Sequence, residues 1–169
     1  MSFIVKAELV VDRPVLLHRT FDEFYRLHRD QVARALVLTL GDRDLGSEAA
    51  DEAMVRTLQH WRKVSGYECP EGWAYRVGLN WATSRLRRRR NHPGKVAVRD
   101  SVTDAVPDVD VEAALAGLAV PLRSVVVLRL YLDWSVATTA EALGVRPGTV
   151  KSRLSRAMDQ LRDVLGVER

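Results

Sequence analysis

The chain has 169 residues, 47% of them hydrophobic, with 26 Lys and Arg against 22 Asp and Glu. That length allows one ordinary domain or two small ones, and that apolar share excludes a disordered chain. A net charge of +4 suits an anionic partner without naming it, and a single cysteine, Cys69, excludes an internal disulfide and fits a reducing compartment.

No apolar run reaches the length of a signal core or a membrane span, so a soluble, cytoplasmic protein without membrane insertion is expected. Alternating β-branched patterns are weak, and glycine and proline are sparse inside the periodic stretches. Both features predict an all-α protein.

In chain order, residues 1–19 form an N-terminal arm that the pattern leaves unassigned. Thr20, with Glu23 three residues later, predicts a capping box. The helix it opens carries Phe21, Phe24, Tyr25, Leu27, Val32, Leu36 and Leu40 as its apolar stripe and ends at Gly41. A second helix is expected from Ser47 to Trp61, with Ser47 as N-cap, Ala50, Met54, Leu58 and Trp61 on one face, and Glu48, Asp51 and Glu52 near its start. The loop KVSGYECPEG follows. Pro70 suits the first turn of the next helix, which runs through GWAYRVGLNWATSRLRRRR. That helix is apolar on two sides, with Trp73, Val77 and Trp81 on one and Tyr75, Leu79, Ala82 and Leu86 on another. It should therefore lie between neighbours, with both tryptophans suiting the core better than a base-stacking platform.

Residues 92–110 read as a linker, with two prolines, a glycine and the acidic residues Asp100, Asp104, Asp108 and Asp110. Helices are expected again at Val111–Leu118, Pro121–Leu132, Ser135–Leu143 and Pro147–Leu165. The fold class predicted is thus two small helical domains, 20–91 and 111–169, on a flexible acidic tether.

The last helix has the sharpest pattern. With Val150 at zero and about 100° per residue, Leu154, Ala157 and Leu161 fall within about 40° of it. Gly148, Ser152, Ser155, Arg156 and Asp159 lie opposite. The short helix before it and the turn at Gly144 complete a helix-turn-helix pattern. Small polar and basic residues at the start of such a helix suit the major groove. The same face also suits a surface helix with solvated charges.

At GTVKSRLSRAMDQLR the chain closely resembles region 4 of the extracytoplasmic-function (ECF) sigma factors of RNA polymerase. FDEFYRLHRDQVARAL, SEAADEAMVRTLQHW and GWAYRVGLNWATSRLRRRR resemble region 2 of the same family, in the same order. The resemblance implies a bacterial transcription initiation factor without cofactor or metal. Its partners would be core RNA polymerase, through the beta and beta-prime subunits, promoter DNA, and an anti-sigma factor of the kind that holds many relatives. It implies -10 contacts by Tyr67, Glu68, Arg76, Asn80, Ser84, Arg87 and Arg88. Tyr67 would stack on a flipped base and Asn80 would bond a base edge. It implies -35 contacts by Arg146, Thr149, Lys151, Ser152, Arg153 and Arg156, and polymerase contacts by Glu48, Asp51, Glu52, Met54 and Arg56. The acidic linker would thread the polymerase cleft.

Three departures stand out from the family pattern: Thr139 where an apolar residue is usual, Arg146 where a serine cap is usual, and Asp51 where glutamine is usual. Two rival readings share the terminal motif. One is a stand-alone helix-turn-helix regulator that needs no polymerase. The other is a sigma-like interaction protein with weakened promoter function. An enzyme is not expected, because His18, His28, His60 and His92 show no metal spacing with Cys69, and no glycine-rich phosphate loop or nucleophile elbow is present.

Overall fold

A computed structural model describes residues 20–91 and 109–166. The N-terminal arm and the linker expected at 92–110, apart from its last two residues, lie outside the described residues. Among the described residues the regular elements are helices.

Helix α1 spans Phe21–Leu40. Thr20 accepts from the Glu23 backbone N–H, Glu23 reaches back to the Thr20 N–H, and Gly41 closes the helix at φ 68°. The capping box and the left-handed stop are both those expected. Helix α2 spans Arg43–Gln59, so it starts four residues before Ser47. Its N-cap is Asp42, whose carboxylate accepts from the Leu45 N–H at 2.8 Å. With Asp42 directly after the Gly41 stop, the chain reverses at once and Ser47 becomes an interior residue. A short helix, α3, covers Trp61–Val64, and α4 runs from Pro70 to Asn91.

Helices α1, α2 and α4 pack together around Phe24, Val32, Leu36, Leu45, Ala49, Ala50, Ala74, Tyr75 and Ala82. Phe24 and Phe21 meet Trp61 at ring-centroid distances of 5.3 and 5.7 Å. Trp81 packs against the same core, as expected, while Trp73 sits apart from it beside His60. The buried Tyr75 hydroxyl is 2.7 Å from the Thr39 hydroxyl. Burial raises the Tyr75 pKa well above its ordinary value, against the smaller opposing effect of that bond.

The second group of helices begins with α5, Val109–Ala116, two residues before the expected start. Helix α6, Val120–Val126, continues without a break into a wider π turn, Val127–Tyr131, closed by a bond from the Leu132 N–H to the Val127 carbonyl. Then come α7, Val136–Leu143, capped by the Ser135 hydroxyl, and α8, Pro147–Leu165. Val125, Ala140 and Val150 form one core between α6, α7 and α8. Leu118, Val126 and Ala157 form a second core further along the same face of α8.

The two groups are joined. Val127, Leu128, Trp134 and Ala142 from the second pack into the core of the first. The run Val125–Leu128 is therefore buried on all sides: Val125 and Val126 face the two cores of their own group, and Val127 and Leu128 face the core of the first.

Candidate nucleic-acid interface

Helix α4 presents Arg76, Asn80, Ser84 and Arg87 along one side, because spacings of four and seven residues return to the same face. Asn80 is exposed, and its side-chain amide bonds to nothing among the described residues. Ser84 is half-buried beside it. Arg87, Arg88, Arg89 and Arg90 are all exposed, so the basic end of α4 is bare. No carboxylate among the described residues pairs with these four arginines. Such unopposed positive charge suits a phosphate backbone.

Arg76 differs from this row. Its Nε donates to the Ala142 carbonyl at 3.0 Å, and its Nη2 donates to the Glu141 carbonyl. Both acceptors belong to the last turn of α7. Arg76 also lines a cavity of about 220 Å³ together with Tyr67, Cys69, Gly72, Trp73, Glu141 and Ala142. Tyr67 is half-buried in its wall, and Glu68, which does not line it, is exposed. Trp73, assigned to the core from sequence, instead lines this cavity next to Tyr67.

Helix α8 faces outward as its pattern predicts. Val150 and Ala157 are fully buried, while Arg146, Gly148, Lys151, Ser152, Ser155 and Arg156 are exposed. Thr149 and Arg153 are half-buried at the edges of that face. Gly148 meets no atom near the position of a Cβ, so the start of α8 is open to close approach. Arg146 is an N-cap without a side-chain bond; Pro147 follows at the first helical position. Thr139 takes the place of an apolar residue and is fully buried, with an Oγ1 that has no hydrogen-bond partner among the described residues.

The polymerase-facing expectation fell on α2. The three carboxylates named for that contact each meet an arginine: Glu48 with Arg85 of α4 at 3.3 Å, Asp51 with Arg29 of α1 at 2.9 Å, and Glu52 with Arg56 at 2.7 Å. The Asp51 bond, followed by that of Asp30, raises the Arg29 pKa above its ordinary value. Met54 departs from the expectation of a polymerase contact: it is 3% exposed and sits inside the core, because it shares the face of α2 that packs on α1 and α4 with Ala50, Ala53 and Thr57. The exposed large apolar residues of this helix are Val55 and Leu58; Leu58, expected on the apolar face with Ala50 and Met54, lies beyond its edge and faces outward.

Among the described residues no group of three or more His, Cys, Asp or Glu is placed to hold a metal ion, and no helix is long and apolar enough to cross a membrane.

Residues 108–161 match the family model described as Sigma-70, region 4. The ECF RNA polymerase sigma factor SigM of Mycobacterium tuberculosis is 32% identical over 151 residues, covering 86% of this chain and 77% of that protein. The RNA polymerase sigma-E factor of Streptomyces avermitilis is 30% identical over 158 residues, covering 86% and 84%. Among solved structures, the sigma factor RpoE of Bartonella quintana, in complex with the anti-sigma factor NepR, shares the fold with a TM-score of 0.69 at 22% identity, over 88% of this chain and 98% of that one.

Proposed function

This chain belongs to the extracytoplasmic-function family of RNA polymerase sigma factors, and from that membership we propose a division of labour between its two helical domains, 20–91 and 109–166. The protein acts as a sigma factor in transcription initiation. Domain 20–91 joins core RNA polymerase through the α1–α2 surface, with Glu48, Asp51, Glu52 and Arg56 as its charged rim and Val55 and Leu58 as its apolar part. The same domain holds the unpaired -10 strand on α4. Domain 109–166 docks α8 in the major groove of the -35 element.

The observation that carries this reading is the presence of two separate outward faces of the right chemistry. Asn80 stands exposed and unbonded beside Ser84 and Arg87, and α8 opens with exposed Gly148, Lys151, Ser152 and Arg156. Arginine in such a helix can bond guanine edges bidentately, and lysine can meet phosphate. Arg76 and Tyr67 complete the -10 surface, with Trp73 beside them as a second ring able to stack on a base.

A magnitude explains the need for polymerase. Opening ten base-pair steps costs roughly 14 kcal/mol at the mean stacking value. Three bases captured on side chains return roughly 3–9 kcal/mol. A protein of this size falls short alone, and polymerase contacts and DNA bending supply the difference. No catalytic step belongs to this chain: phosphodiester chemistry stays with the polymerase, in the cytoplasm. An anti-sigma factor is a further partner on this reading, by analogy with the complex in which the Bartonella relative was solved.

The test is run-off transcription with purified core polymerase and genomic promoter fragments. Specific start sites that require this protein are expected. A tight operator complex without polymerase would make it a stand-alone regulator, and core binding without initiation would make it an interaction protein. Neither is favoured, because its relatives are sigma factors matched across both domains.

A further inference from the structure

The contact between the two domains is built from a reciprocal pair of arginines. Arg76 of α4 reaches across to the Glu141 and Ala142 carbonyls at the C-terminus of α7. Arg123 of α6 reaches back to the Thr39 carbonyl at the C-terminus of α1 at 3.1 Å, and also holds the Ala116 and Leu118 carbonyls at 2.7 Å each. Each guanidinium lies over a left-handed glycine that ends a helix of the other domain: Gly144 after α7 and Gly41 after α1. The last carbonyls of a helix lack internal partners and carry the negative end of its dipole, so a cation is the group that satisfies them. Arg123 is 7% exposed and among the described residues bonds only to carbonyls, and burial lowers its pKa.

The packing around Arg76 fits the same contact. A Cβ built on Gly72 would stand 2.9 Å from the Cys69 Sγ and 3.1 Å from the Ala142 Cβ, so glycine lets α7 come this close to α4 without displacement. Ala142 is 2% exposed and packs into the core of the first domain, not into the core that α7 shares with α6 and α8. Its burial is therefore produced by the other domain. Cys69, Gly72, Trp73, Arg76 and Tyr67 surround the cavity on one side, and Glu141 and Ala142 close the other.

We propose that the start of α4 is a shared docking surface, on which the C-terminus of α7 sits in the unbound protein and from which the -10 strand displaces it. This rests on the DNA role of Arg76 and Tyr67 given above. The isolated protein is then self-masked at its strand-capturing surface only. Asn80, further along that surface, and the outward face of α8 remain exposed in the closed arrangement, so the masking is confined to the Arg76 end of α4 and duplex recognition by α8 is not masked. Single-stranded DNA and α7 compete for the Arg76 donors, and by linkage the strand must open the domain contact as much as the contact weakens the strand.

The test uses the full chain carrying a donor and an acceptor dye on the exposed positions Gln59→Cys and Gln160→Cys, one in each domain. The probe is a fluorescein-free pool of random single-stranded DNA about 12 nucleotides long, within the usual range of single-strand sites. The unbound chain should show high energy transfer, and transfer should fall as the pool is titrated. The variant Ala142→Gln, neutral and helix-compatible, should lower transfer without DNA and tighten single-strand binding at least about fivefold, the lower end of ordinary coupling. Duplex binding should not change.

Low transfer in the unbound chain would overturn the closed state, while leaving initiation activity intact. Binding of the strand at constant transfer would overturn the competition, and this arm needs no variant to fold. An opened Ala142→Gln chain with unaltered single-strand affinity would overturn the masking. Loss of specific run-off initiation by the unsubstituted chain is the separate failure of the sigma reading itself.

Discussion

Replacing Thr139 by valine should stabilise the protein. The side chain is 0% exposed in the middle of α7, and its Oγ1 has no hydrogen-bond partner among the described residues. An unsatisfied buried hydroxyl costs about 1–3 kcal/mol, and valine keeps the shape while removing the polar atom. Both residues are β-branched and of similar helix propensity, so the backbone contribution nearly cancels. The expected gain is about 1–2 kcal/mol, or about 2–8 °C in Tm for a chain of this length. Urea unfolding followed by far-ultraviolet circular dichroism reads it as a higher midpoint at unchanged slope. A loss of 1 kcal/mol or more would refute the reasoning, by showing that the hydroxyl has a partner whose removal is felt.

Tyr75 gives a pH prediction. Its folded pKa is raised above the ordinary value of 10.0 by burial, so its contribution is complete below that value and is lost as the pH rises beyond it. Above pH 10, stability should fall by up to about 1.4 kcal/mol per pH unit from this group, and Tyr75→Phe should flatten the decline in urea melts at pH 9–11. Arg146→Ser should supply the side-chain cap that α8 lacks, adding about 1 kcal/mol of stability. The same change should weaken upstream duplex binding and reduce its salt slope by about one phosphate contact in salt-titrated binding curves. Asn80→Ala should impair open-complex formation more than core binding, whereas equal loss of both would remove its base-reading role. Arg156→Ala should weaken upstream recognition by about 1–3 kcal/mol if it makes a bidentate base contact, and an unchanged upstream footprint would contradict that.

Both ends of α1 and the whole of α8 were legible in the sequence because their signals are local. Thr20 with Glu23 fixes one start, Gly41 and Gly144 fix two stops, and Pro147 fits only a first turn. The start of α2 was not legible in the same way. Asp42 and Ser47 are both competent caps, and the choice is made by the packing of α1 on α2, which burial of Leu45, Ala49 and Ala53 decides. The same packing, not the position of the cap, places Met54 inside and Val55 and Leu58 outside. The exposed row on α8 and the bare arginines of α4 were readable from composition and spacing alone.

The contact between the domains was the least legible feature, although one signal for it was present. Val125–Leu128 is a run apolar in every direction, and such a helix segment is buried all round. A single small domain of four helices cannot bury it so. The arginines gave no such hint. Arg76 reads as a -10 contact and Arg123 stands in no pattern, and their carbonyl partners in the other domain lie up to 66 and 84 residues away in the chain. Only the folded arrangement brings a helix C-terminus to each.

The central claim is that this protein gives polymerase both an upstream anchor and a strand-capturing surface. Footprinting on one cognate promoter measures both together, with permanganate for unpaired thymines and nuclease protection for the upstream element. Unpaired thymines near the start site and protection upstream are predicted to appear only when the protein and core polymerase are present together. Upstream protection by the protein alone, with no unpaired thymines after core is added, would contradict the account.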